Sequence, residues 1–209
     1  MNRKYLLDSL DGLKAIIFRL LPAGITGSIA CIPMTTDGPW TDAEKAVFET
    51  AIGIPNERTY WTPGDFVNVP PSNDPVGRSR WVNAVAGINH RYLFLDPDTG
   101  FYTHHNGKSE KKLLITELEA MLSTREAVIV YRHQYWPSLD EVPAHVHPYV
   151  WHGLGMLRTA GFATFAYQSQ AASVFFISRQ ESALAPFRKG FQDAFAGVSA
   201  AVIESRLVG

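Results

Sequence analysis

Two hydrophobic patterns alternate along this chain: apolar residues spaced three and four apart, and short unbroken apolar runs. Leu6, Leu7, Leu10, Leu13, Ile16, Ile17 and Leu20 have the first spacing, which predicts an amphipathic helix over residues 3–21 with a break near Gly12. Residues 27–34 form a β-like run that ends at Pro33 and T-T-D-G-P-W. Thr41-Asp42-Ala43-Glu44 reads as a capping box, with Thr41 as N-cap of a helix reaching about Ile52. Residues 53–80 are rich in Pro, Gly, Asn and Asp, with a short strand candidate at 66–69. A loop of that length in a compact domain usually has a functional reason.

The second half of the chain is more regular. A helix is expected over 78–89, then a buried strand within Y-L-F-L-D-P-D-T-G-F at 92–101, where four apolar or aromatic residues run into turn chemistry. A helix over 108–122, a strand over 127–131 and a helix over 145–160 follow. Two strands are expected at 162–167 and 173–178, and a mostly helical segment over 182–207. This alternation implies βαβ units and an α/β fold of three layers: a mostly parallel sheet with helices on both faces. Residues 168–172 are too few for a crossover, so the last two strands should pair antiparallel and close the sheet.

Composition narrows the class. With 209 residues and 46% hydrophobic content the chain can bury one large core, and no linker divides it. A single α/β domain over 1–209 is expected, with a loop-rich insertion at about 53–80. A net charge of −1 leaves no global electrostatic footprint for nucleic acid, although Arg78, Arg80, Arg91, Lys108, Lys111 and Lys112 flank the acidic strand. Cys31 is the single cysteine, so no intrachain disulfide and no cysteine-based zinc site can form; a cytoplasmic location is expected. The apolar run 13–21 is interrupted by Lys14 and Arg19 and closed by Pro22, so no membrane partner is expected. Asp8 and Asp11 argue against a signal peptide.

Chemistry gathers at the strand ends. Asp96 and Asp98 follow the first buried strand; Arg132, His133 and Gln134 follow the second; Gln168, Ser169 and Gln170 follow the third. In a parallel sheet such ends share one edge, where open α/β sheets bind ligands. Asp96 and Asp98 are candidate catalytic residues and ligands for Mg²⁺ or Mn²⁺, both of which take oxygen donors. His133 is the candidate proton carrier. Arg132, Gln134, Gln168 and Ser169 are the candidate substrate-binding residues, with Arg132 as the phosphate clamp. Each has a plainer reading: D-P-D-T-G as a capped turn, Arg132 as an ion-pair partner of Asp96 or Asp98, and Gln168-Ser169-Gln170 as a hairpin turn. His145, His147 and His152, and His104 with His105, are weaker metal candidates. Tyr60, Trp61, Trp81, Tyr131, Tyr135 and Trp136 could stack on bases or pack as core.

The order of elements over about 90–180 resembles the second half of a Rossmann-like, methyltransferase-type fold. F-L-D-P-D-T-G stands where that family has a D-P-P-Y-like motif at the end of its fourth strand, and residues 162–178 supply its closing antiparallel pair. The family's glycine loop after the first strand is absent, and Asp98 and Thr99 replace its second Pro and aromatic residue, so adenosylmethionine is not expected as cofactor. The D-x-D also looks like the metal motif of TOPRIM-type nucleases and of nucleotide-sugar glycosyltransferases. Three readings follow. The first is a metal-dependent phosphodiesterase or nuclease acting on nucleic acid or a nucleotide. The second is a divergent nucleic-acid methyltransferase. The third is a non-enzymatic binding or inhibitory module on a methyltransferase-like scaffold.

Overall fold

The computed structural model describes residue 6 and residues 9–71, 73–97, 101–102, 113–133, 148–169, 172–198 and 207–209. Six strands form one mixed sheet. In chain order they are β1 (Ile29–Pro33), β2 (Tyr92–Asp96), β5 (Ala127–His133), β6 (Ala163–Gln168), β7 (Ala172–Ser178) and β8 (Leu207–Val208). Two further short strands, β3 (Phe101–Tyr102) and β4 (Leu113–Leu114), pair with each other. The spatial order of the large sheet is β1-β2-β5-β7-β6-β8. β1, β2 and β5 are parallel, with Leu93 opposite Ala30 on one side and Val128 on the other. β7 runs antiparallel to both β5 and β6, so the reversed strand lies inside the sheet, between two strands that point the same way.

The unbroken apolar runs are unbroken because both faces are covered, as parallel strands require. Alternate residues go to opposite sides. Ala30, Ile32, Leu93, Leu95, Val128 and Val130 face a layer of α4 (Pro75–Ala86), α5 (Ile115–Met121) and α6 (Pro148–Thr159). Ile29, Cys31, Tyr92, Phe94, Ile129 and Tyr131 face α1 (Ser9–Leu20), α3 (Asp42–Ile52) and α7 (Glu181–Ala194). α2 (Ala23–Thr26) is a single turn joining α1 to β1. α7 reaches α1 closely because residue 190 is glycine: a Cβ there would stand 2.9 Å from the Leu20 carbonyl oxygen.

Local chemistry sets several boundaries. Thr41 caps α3 in a capping box with Glu44, as the sequence implies. α4 starts earlier than residue 78, because the Asp74 carboxylate accepts the Gly77 N–H at 2.9 Å and Pro75 fits the first turn. α1 passes through Gly12 without a break. Residues 113–114 are strand instead of helix, and the Glu117 carboxylate accepts the Leu114 N–H at 2.9 Å, starting α5 there. The closing helix ends at Ala194; the chain turns through Gly197 at φ 91°, and Leu207 pairs with Tyr167 as strand.

The long segment after α3 has a structural task. Thr59 bridges Cys31 in parallel on the outer side of β1, and the Tyr60 N–H donates to the Cys31 carbonyl at 2.8 Å. Ile54, Trp61 and Val69 are buried. No strand forms at 66–69; the Val69 N–H is used by the Thr35 carbonyl at 3.1 Å, which ties this stretch to the loop after β1. Among the described residues no helix is long and apolar enough to cross a membrane.

Candidate functional site

The carboxyl ends of β1, β2, β5 and β6 share one edge of the sheet, as expected for parallel strands. Asp96 closes β2 there, opposite Pro33 of β1. Its carboxylate points to the α1 side and accepts from Lys14 Nζ at 2.7 Å. Lys14 also donates to Asp11, one turn earlier on α1, at 2.9 Å. Lys14 is 3% exposed and Asp96 2% exposed, so this is a cluster sealed from water. The Lys14 ammonium lies 4.5 Å from the centre of the Tyr131 ring, which adds a cation–π contact to the two carboxylates. Burial pulls the Lys14 pKa down, but the charges of Asp96 and Asp11 outweigh it and hold it above the ordinary lysine value. Burial, followed by the Asp96 charge, pushes the Cys31 thiol well up, so Cys31 is an inert core residue.

Next to this cluster the loop after β1 is held shut by the chain itself. Thr35 Oγ1 donates to the Val67 carbonyl at 2.8 Å, and the Gly38 N–H donates to Asn68 Oδ1 at 3.1 Å. Gly38 sits at φ 96°, a conformation glycine adopts without strain. The space left beside Trp40, Lys45, Trp61 and Thr62 is about 60 Å³. That is well below the roughly 300–1,000 Å³ of a pocket for a drug-sized ligand.

A second polar group lies on the opposite face. Arg132 pairs with Ser173, and Ser173 pairs with Gln168, so the three form one row across β5, β7 and β6. All three are buried, and they share the α6 side with Val130, Phe175 and Ala166. Ser173 Oγ has no hydrogen-bond partner. Asp96 follows Leu95, whose partner is Val130, so Asp96 and Arg132 leave the sheet on opposite sides. The edge therefore carries two polar clusters back to back: an acidic one closed by Lys14, and a basic and amide-bearing one on the α6 side.

The candidates from the sequence divide accordingly. Arg132 and Gln168 come together, with Ser173 between them. Ser169 closes the β6–β7 hairpin: its N–H and Oγ both bond the Ala172 carbonyl, at 2.8 and 3.0 Å. Asp96 stands apart from these residues and is partnered by Lys14. The backbone of His133 ends β5, opposite Ala172. Asp98 and Gln134 lie outside the described residues, as do His104, His105, His145 and His147. Among the described residues no group of three His, Cys, Asp or Glu side chains could hold a metal ion, and the donor set around Asp96 contains a cation already.

Lys14 and Asp11 were not legible as site residues. Their i, i+3 spacing on a helix is a weak signal, and only the fold brings Asp96 to them. Ser173 opens the last strand of the sequence reading, but a connection of 168–172 would place it opposite Tyr167; the observed register places it opposite Gln168. No family model, no curated protein and no solved structure matches this chain.

Proposed function

We propose that this protein is a binding module for a nucleotide or nucleic acid, built on a methyltransferase-like scaffold whose acidic strand end has become structural. The observation that carries this reading is the Lys14 ammonium 2.7 Å from the Asp96 carboxylate inside a sealed cluster. A metal-dependent hydrolase needs its carboxylate for a cation, and a cation there would have to displace a protonated lysine from a buried site. The loop after β1 is tied down by residues 67–69, and the space of about 60 Å³ beside it argues against adenosylmethionine there. What remains at the carboxyl edge is recognition chemistry. Arg132 supplies a planar fork suited to phosphate, and Ser173 and Gln168 supply hydroxyl and amide donors in the same row. The strand order, three parallel strands followed by a reversed strand between two like-directed ones, supports the resemblance of the scaffold to the methyltransferase type.

Calorimetry tests the reading with four titrants: adenosine monophosphate, a single-stranded oligonucleotide, Mg²⁺ or Mn²⁺, and adenosylmethionine. The expected result is binding of a nucleotide or oligonucleotide without metal, weakened about tenfold by Arg132→Lys, because Lys keeps the charge and loses the fork. Asp98→Asn should leave that affinity within about twofold, since no metal is recruited through the D-x-D. Metal-dependent cleavage of the oligonucleotide that Asp98→Asn abolishes would restore the hydrolase reading. Tight adenosylmethionine binding would restore the methyltransferase reading.

A further inference from the structure

The opposite, amino edge of the sheet holds a cavity of about 480 Å³ between the turn that enters β5 and the turn that leaves β7. It is lined by Arg125, Glu126, Arg179, Gln180, Ser182 and Ala183 among others. Arg125 is only 9% exposed. Its Nη2 donates to the carbonyls of Val85, Ala86 and Ile88 at 3.0, 3.0 and 3.1 Å, anchoring the end of α4. Its Nε and Nη1 are buried without any hydrogen-bond partner. A guanidinium carries five donors, and buried charged donors without partners are unfavourable. Burial draws its pKa down to about 10, so it remains a cation at neutral pH.

The surroundings add positive potential. α7 is 14 residues long and begins at this cavity, and Gln180 as its N-cap gives no side-chain hydrogen bond to the first turn. The Ala183 N–H turns back to the Gln180 carbonyl at 3.1 Å, so the N–H groups ahead of it and the positive end of the helix dipole are what this end of α7 presents. Arg179 adds a second guanidinium, whose Nη2 donates to the Glu119 carbonyl at 3.2 Å. The acids nearby are already engaged. Glu126 is paired with Arg91 at 2.7 Å, and Glu181 is drawn along α7 to Arg188 at 3.0 Å.

We propose that this cavity binds the phosphate group of a small molecule. Arg125 and Arg179 would clamp the anion, and the first turn of α7 would donate to it. The Nε and Nη1 donors of Arg125, which no group of the protein uses, are the ones left for the anion. The volume suits a ligand of nucleotide size. The site is independent of the row at Arg132, which lies at the other end of β5.

The test is calorimetry on the full chain with inorganic phosphate and with adenosine monophosphate, against chloride at matched ionic strength. Read in the Arg132→Lys background, stronger binding of the monophosphate assigns the anion to an ester, and equal binding assigns it to free phosphate; either one supports the cavity. Arg125→Ala could unfold the end of α4, so the decisive variants are Arg179→Gln and Ser182→Asp. Asp in the first turn favours the helix itself, so Ser182→Asp should fold normally. Each is expected to weaken anion binding at least tenfold, while Arg132→Lys leaves one anion site intact. Binding no better than chloride overturns the proposal. So does binding unchanged in both variants, or anion binding lost entirely in Arg132→Lys.

Discussion

Among the described residues two buried ion clusters join separate elements, and they are built differently. On the α4–α6 side Arg78 and Glu117 face each other through two bonds, Nε to Oε1 at 2.6 Å and Nη2 to Oε2 at 2.8 Å. Glu117 also caps α5 through the Leu114 N–H, and Arg78 also donates to the Pro70 carbonyl at 2.9 Å. This pair joins neighbouring helices within one layer, and its planar fork is nearly satisfied in place. On the other side Lys14 is a point charge between two carboxylates, and it ties a helix to the end of a strand 82 positions away. The first cluster locks a layer. The second locks the strand end at which an α/β sheet would ordinarily do its chemistry.

The sharpest way to break this comparison is Lys14→Met. It leaves Asp96 and Asp11 in a sealed site without their cation, and breaking a buried ion cluster costs roughly 3–5 kcal/mol. Urea denaturation should show that loss, and adding Asp96→Asn should recover part of it. A loss under about 1 kcal/mol would mean that the cluster behaves as a solvated surface pair. Glu117→Gln should cost less, at the lower end of that range, roughly 3 kcal/mol: Arg78 loses its counter-charge, but the amide oxygen can still accept one of the three N–H groups that the carboxylate holds. If it costs more than Lys14→Met, the ranking of the two clusters is reversed.

The smallest effect lies at alkaline pH. The folded pKa of Lys14 is raised, so its contribution is complete below the unfolded value and is lost as pH climbs towards the folded one. Below about pH 10 both states hold the proton and nothing changes. By pH 11 the wild type should have lost about 1 kcal/mol more than Lys14→Met, the variant serving to subtract the other lysines. The observable is the difference in urea midpoint between pH 9 and pH 11. No difference between the two proteins would remove Lys14 from the buried cluster.

Legibility followed the range of the interaction. The runs at 93–95 and 128–130 announced buried parallel strands, because a strand covered on both faces has no polar side to show. Thr41 and Glu44 announced the start of α3, because a capping box is complete within four residues. The hairpin of β6 and β7 followed from the length of its connection. The long segment after α3 was harder to read. Its turn-rich composition concealed that Thr59 takes a place beside β1 and that residues 67–69 bind the loop after that strand. Each of those bonds uses a backbone group on at least one side, which carries no residue signature.

The sequence by itself determined the α/β class, the antiparallel pairing of the last strands and the placing of polar residues at strand ends. Each rests on periodicity or on connection length, which are properties of short stretches. Only the tertiary structure decided that Asp96 belongs to Lys14, and that Arg132 joins Ser173 and Gln168 on the other face. Which side of a sheet a strand-end residue leaves by depends on register, and register reverses with a shift of one residue. Which charge then meets it depends on a helix packed from far along the chain.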